Sequence, residues 1–182
     1  NFDKAIEYYN LTIEKFPKST FTPKAILNKA LIFYNNGDLI NSENLLKEYI
    51  IKFPTEITVA QALLTLKEIA VEKNSVEEFS IWIKSKGLSS ISELEIEKAS
   101  IDAIGKLLNQ KKEKQIKKAL ENYIKNYPNG LDIKRISYLL GEILYTNKIW
   151  DQSILNFKRV VSGPRNNYSE KSIVRICQSL IE

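Results

Sequence analysis

The residue types that usually do chemistry are scarce in this chain. Among its 182 residues there is no histidine, and Cys177 is the one cysteine. That removes the commonest general base and the commonest zinc ligand. Cys177 has no histidine to activate it and no second cysteine to bond. It lies in an apolar helical run, so a buried small hydrophobe is expected there. The six glycines are scattered at turns and helix ends, and none forms a phosphate-cradling loop. Carboxylates do cluster: Glu77 with Glu78, and Glu93 with Glu95 and Glu97. The last three alternate too closely to share one helical face. Ser92 and Glu95 make the Ser-x-x-Glu capping box of a helix start. Surface and capping roles are expected for these acids. No enzyme activity, cofactor or metal site is expected.

Binding chemistry remains. The net charge of +5 is mild. One dense basic stretch, KLLNQKKEKQIKK, runs from Lys106 to Lys118. Lys111, Lys112, Lys114, Lys117 and Lys118 could attract phosphates or acidic lipid, and salt would weaken such binding steeply. The same lysines fit a solvated turn beside a helix C-terminus, where cations are favoured. Aromatic residues do not interleave with them as single-strand binders require, which argues against a nucleic-acid partner. Tyr138, Glu142 and Tyr145 fall at i, i+4 and i+7, on one helical face. Tyrosine is a typical interface anchor, so these residues either line a binding face or pack between helices.

The elements that position them are read from an internal repeat. FDKAIEYYNLTIEKFP, Phe2 to Pro17, recurs 37 residues on as LINSENLLKEYIIKFP, and after three periods as EKQIKKALENYIKNYP, ending at Pro128. Phe2, Leu39, Val76 and Trp150 form one column, broken by Glu113. Ala5, Ser42, Phe79, Ile116 and Ser153 form the next, and Tyr9, Leu46, Ile83, Leu120 and Phe157 a third. A fourth holds Ile13, Ile50, Ile124 and Val161, broken by Gly87. The spacing of 3, 4, 4 puts the columns on one helical face. Ahead of these segments lie other helical runs, such as Lys24–Asn36, Ala60–Lys73 and Lys134–Asn147. Turns at Asn35–Asp38, Lys73–Ser75 and Thr146–Lys148 are short enough to force antiparallel neighbours. The unit is a helix hairpin with a first and a second helix. Pro17, Pro54 and Pro128 stop the second helices, with Gly87 doing this by a C-terminal cap.

The expected fold is all-α, a solenoid of about five stacked hairpins in which each contacts only its neighbours. One array is read over 1–182, with hairpins at 22–54, 57–87, 92–128 and 131–163. A second helix stands by itself at 1–17 and a first helix at 168–182. Both ends cut through a repeat, so a piece of a longer array is expected. Hydrophobic content of 43% suits a folded protein, and no apolar run approaches the ~18 residues of a membrane span.

This pattern resembles the tetratricopeptide repeat (TPR), whose unit is two antiparallel helices with a small residue near the middle and a terminal proline. The match is fullest in the last repeat, where YLLGEILY carries Leu140, Gly141 and Leu144, followed by Ser153, Phe157 and Val160. Ala30, Phe33, Ser42, Leu46 and Pro54 carry it in the second repeat. The family's first-helix tryptophan is replaced by Ile26, Leu63 and Ser137, and Lys67 and Ile104 stand where a small residue is usual. The resemblance implies a right-handed superhelix whose first helices line an inner groove for a peptide or a partner's helix. By family phasing the groove holds Lys24, Asn28, Leu31, Tyr34 and Asn35, then Gln61, Thr65 and Glu68, then Arg135, Tyr138, Glu142 and Tyr145. Leu27 and Leu31 stand where the family's carboxylate-gripping members have lysine and asparagine, so that mode is not expected.

The phrases FPKS and NYPNG are similar to those of bacterial envelope TPR proteins, the outer-membrane-assembly lipoproteins and the Tol-Pal-associated proteins. That resemblance implies a non-catalytic scaffold for protein partners in the periplasm or at the outer membrane, with the cytoplasm open. The rival readings are a regulatory array that senses a ligand or peptide and a nucleic-acid-associated repeat protein. Oligomeric state is not legible at this stage.

Overall fold

A computed structural model describes residues 2–88 and 91–181. Asn1, Ser89, Ser90 and Glu182, at the edges of the segments read above, lie outside the described residues. All ten elements among the described residues are α-helices: α1 (Phe2–Lys15), α2 (Thr22–Asn35), α3 (Leu39–Lys52), α4 (Val59–Lys73), α5 (Val76–Ser85), α6 (Glu93–Asn109), α7 (Glu113–Asn126), α8 (Ile133–Thr146), α9 (Trp150–Val161) and α10 (Ser169–Ser179). They fall into two compact units that divide between Ser92 and Glu93.

In the first unit each helix packs on the next, from α1 to α5. The repeat columns are its core. Leu46, Ile50, Phe79 and Ile83 are buried, together with Ile26, Leu27 and Ala30 of α2 and Leu63, Leu66 and Ile69 of α4. Each of these side chains but that of Ala30 contributes roughly 1.5–3 kcal/mol by leaving water. In the second unit the helices again pack in order, and α10 also reaches α8. Ile104 and Leu107 of α6, Ile116, Leu120 and Tyr123 of α7, and Ile136, Leu140 and Leu144 of α8 form one apolar cluster.

The turns inside the hairpins keep the period in their backbone. Gly37, Asn74, Lys111 and Lys148 all have positive φ, between 53° and 79°. They are spaced 37 residues apart. Only the first is a glycine, the residue that adopts this region without steric cost. The second helices stop as the prolines predict. Phe53 and Tyr127, each just before its proline, cap α3 and α7 through N–H bonds to Tyr49 O and Tyr123 O. Their rings pack back on those tyrosines, with centroids 5.7 and 5.1 Å apart. Gly87 closes α5 with φ of 65°.

The loops between hairpins are sealed by side chains that the column reading passes over. Thr22 Oγ1 donates to Phe16 O at 2.6 Å, and Tyr49 shares a 2.5 Å hydroxyl–hydroxyl bond with Thr58. In the second unit Tyr123 OH donates to Glu97 Oε1 at 2.5 Å, and the same oxygen accepts from Leu131 N at 2.5 Å. Tyr123 Oη also accepts from Asp132 N at 3.1 Å. Glu97 is thus buried within the fold, contrary to the surface role expected of it. Its burial is tolerated because a hydroxyl and a loop N–H converge on the carboxylate. Gly130 makes room for this cluster. A Cβ there would lie 2.5 Å from Glu97 Oε1, 2.6 Å from Tyr123 Oη and 2.8 Å from Tyr127 Cβ. A second correction concerns Cys177, which is exposed. Its helix buries Ser169, Ser172 and Ser179 in its place.

Candidate protein-interaction surface

The residues proposed for the groove lie on first helices: α2 and α4 in one unit, α8 in the other. In the first unit Lys24, Asn35, Gln61 and Glu68 are exposed, and Asn28, Leu31 and Tyr34 half-buried. Asn28 Nδ2 donates to Tyr9 OH at 3.3 Å, tying α2 to α1. Tyr34 OH donates to Glu68 Oε2 at 3.2 Å and to Glu72 Oε1 at 3.4 Å, tying α2 to α4. Partial burial, with the two carboxylates beside it, pushes the Tyr34 phenol up to about 12. Tyr34 therefore remains a neutral hydrogen-bond donor at physiological pH. Thr65 is buried and its Oγ1 donates to Gln61 O of its own helix at 3.2 Å, so it offers no side chain to a partner.

In the second unit the predicted residues come together with two that the sequence reading missed, both close to α10. Arg175 Nε and Nη2 donate to the two oxygens of Glu142 at 2.8 and 3.0 Å. This bidentate geometry is the strong form of the arginine–carboxylate pair. The guanidinium lies over Tyr145, 4.4 Å from the ring centroid, and Tyr145 meets Trp150 edge-on at 5.2 Å. The hydrogen bonds that Arg175 donates to Glu142 raise its pKa, outweighing burial. Tyr138 stacks on Tyr168 at 5.0 Å and tilts against Phe157 at 5.9 Å. Burial and then Glu142 raise its phenol pKa. Arg135 Nε donates to Asp132 Oδ2 at 2.6 Å, holding it against the N-cap of its own helix. Of the two roles weighed for Tyr138 and Tyr145, these contacts show the packing one. Both tyrosines pack against neighbouring helices, and each keeps part of its ring in solvent. The repeat gave no signal for this pair, since Arg175 follows Glu142 by 33 residues, off the 37-residue period.

The arrangement offers hydrogen-bond donors, part-exposed rings and paired charges, which suit a polypeptide ligand. No group of three or more histidine, cysteine, aspartate or glutamate residues among the described residues is placed to hold a metal ion. No helix among the described residues is long and apolar enough to cross a membrane. Lys111, Lys112, Lys114 and Lys118 are exposed around the α6–α7 turn, and Lys117 lies 3.8 Å from Glu121.

No protein-family model matches the chain, and no curated protein matches it. Among solved structures, it is similar to YrrB, described as a TPR protein with an unusual peptide-binding site. The TM-score is 0.39 at 11% identity, covering 97% of this chain and 84% of that one. It is also similar to PilF of Pseudomonas aeruginosa, with TM-score 0.39 at 12% identity, covering 99% of this chain and 89% of that one.

Proposed function

We propose that this chain is a non-catalytic, TPR-type scaffold that grips a peptide or a partner's helix along the groove face of its first helices. One observation carries the reading. Successive first helices, α2 with α4 and α8 with α10, meet on one face through polar side chains, Tyr34 with Glu68 and Glu142 with Arg175. The large buried side chains of the second helices, Leu46, Ile83, Leu120 and Phe157, lie in the apolar core instead. A face built from tyrosine, arginine and glutamate, part-exposed and held in place, is what an interface anchor set requires. Fixing those side chains beforehand lowers the ordering cost of binding. The phrasing FPKS and NYPNG supports a place in bacterial envelope complex assembly.

The test is affinity capture from the source cell's lysate, read by mass spectrometry. Wild type is compared with a variant carrying Tyr34→Ala, Arg135→Glu, Tyr138→Ala and Tyr145→Ala, checked for retained helicity. A partner captured by wild type and lost by the variant is expected. Identical partner lists would contradict the reading.

A further inference from the structure

We propose that the basic end of the α6–α7 hairpin, residues 106–118, is a docking patch for an anionic lipid surface. The patch is independent of the groove face. Six of the chain's 27 basic residues and one of its 22 acidic residues fall in this stretch, which leaves 21 of each sign for all the other positions. The whole net charge of +5 is therefore held at one hairpin end. Lys111, Lys112, Lys114 and Lys118 are exposed, and none of the four is in an ion pair among the described residues. At the equivalent α4–α5 turn, by contrast, Lys73 is paired with Glu43.

The charge sits there against the local preferences of the backbone. Lys111 and Lys112 stand two periods after Gly37 and Asp38. Gly37 takes the left-handed turn position at no steric cost, with φ of 79°, where Lys111 adopts 54°. Asp38 caps α3, its Oδ1 accepting from Asn41 N at 3.1 Å. Lys112, the N-cap of α7, makes no such bond. Lys112 and Lys114 also bring positive charge to the positive end of a helix dipole. The dipole favours Lys106, in the last turn of α6, but opposes these two. A turn that breaks two local rules, where its counterpart in the first unit keeps both, points to a use for its lysines.

The kind of partner follows from what accompanies the lysines. No arginine and no aromatic residue lies between positions 106 and 118. Leu107 and Ile116 are buried and Leu108 is half-buried, so no apolar side chain stands out to insert. Recognition of bases uses arginine forks or stacking rings. Protein interfaces are depleted in lysine and anchored by arginine and aromatics. A sheet of lipid phosphates requires none of these. It attracts point charges on flexible stems, without fixed geometry and without insertion. The turn sets its lysines at the tip of a helix hairpin, from which they can reach a flat surface together.

Co-sedimentation of the full chain with vesicles tests this. Wild type is expected to bind vesicles of mixed phosphatidylglycerol and phosphatidylcholine, to ignore pure phosphatidylcholine, and to release steeply with salt. A variant with Lys111→Gly and Lys112→Asp copies the turn of the first unit, so it is expected to unfold no earlier than wild type. At about fivefold per charge, it should bind at least about thirtyfold more weakly. Lys114→Gln with Lys118→Gln leaves the turn backbone untouched and should weaken binding by about tenfold or more. A control with Lys4→Gln, Lys18→Gln and Lys171→Gln removes three charges from exposed sites elsewhere and should stay within about threefold of wild type. Soluble glycerol phosphate is expected not to compete. A wild type that does not bind the anionic vesicles overturns the proposal, as do turn variants that bind like wild type or a control that loses as much as they do. Displacement by glycerol phosphate would mean a single-phosphate site instead. Tighter binding to polyglutamate or to a short DNA duplex would overturn the lipid assignment in favour of an acidic protein or a nucleic acid.

Discussion

The two units use the same tyrosine column differently. Tyr49 and Tyr123 stand two periods apart and seal equivalent loops. In the first unit Tyr49 meets one hydroxyl, Thr58, and the clasp is a single neutral bond. In the second unit Tyr123 bonds a buried carboxylate, Glu97, which also holds the loop N–H of Leu131, and Gly130 clears the space. The larger network has more to lose. Removing one member of a satisfied buried set leaves the others desolvated and unpaired, which costs more than the bond itself.

The comparison can be broken first at the tyrosines. Tyr123→Phe strips a donor from Glu97 and an acceptor from Asp132 N, and is expected to cost about 2–3 kcal/mol. Tyr49→Phe is expected to cost about 1 kcal/mol. Urea unfolding of the two variants measures the gap, and equal losses would show that the carboxylate adds nothing. Next come the loop residues two periods apart. Gly130→Ala forces a Cβ into the Glu97 cluster and is expected to cost about 1–3 kcal/mol. The counterpart Glu56→Ala, on an exposed loop, is expected to stay within about 0.5 kcal/mol of wild type.

The first-helix contacts sharpen the contrast at smaller scale. Arg175→Ala should cost about 1 kcal/mol, because Glu142 and Arg175 are partly solvated and only the bidentate geometry and the Tyr145 ring lift the pair above a surface bridge. Tyr34 adds a pH signature. Its phenol is raised in the folded chain, so its stabilisation is complete below the ordinary value near 10 and is lost as pH rises through about 12. Tyr34→Phe is expected to remove this alkaline component from the unfolding curve. Smallest are the turns. Lys111→Gly and Lys148→Gly relieve a left-handed backbone and should each stabilise by about 0.5–1 kcal/mol, whereas Gly37→Ala should cost about 1 kcal/mol. Thermal unfolding checks all three.

These contrasts also show what the sequence makes legible. The helices, their prolines and the third column of Leu46, Ile83, Leu120 and Phe157 follow from period and spacing, because burial of one face repeats with the helix. The fourth column is drawn one residue off in places: Tyr123 and Val160 are buried where Ile124 and Val161 were named. A tyrosine can bury its ring and still satisfy its hydroxyl, so a purely apolar pattern overlooks it. Glu97 was hidden for the same reason, since its partners lie 26 and 34 residues away. At the candidate surface, the α8 residues were legible as i, i+4, i+7 neighbours. Arg175 was not, because α10 carries its apolar residues outward and reads as a buried helix.

The most direct test of the scaffold reading is hydrogen–deuterium exchange of the chain with and without its captured partner. Slowed exchange on binding is expected in α2, α4 and α8, with α10 following through Arg175. Protection confined to α3, α7 and α9, with the first helices unchanged, would contradict it.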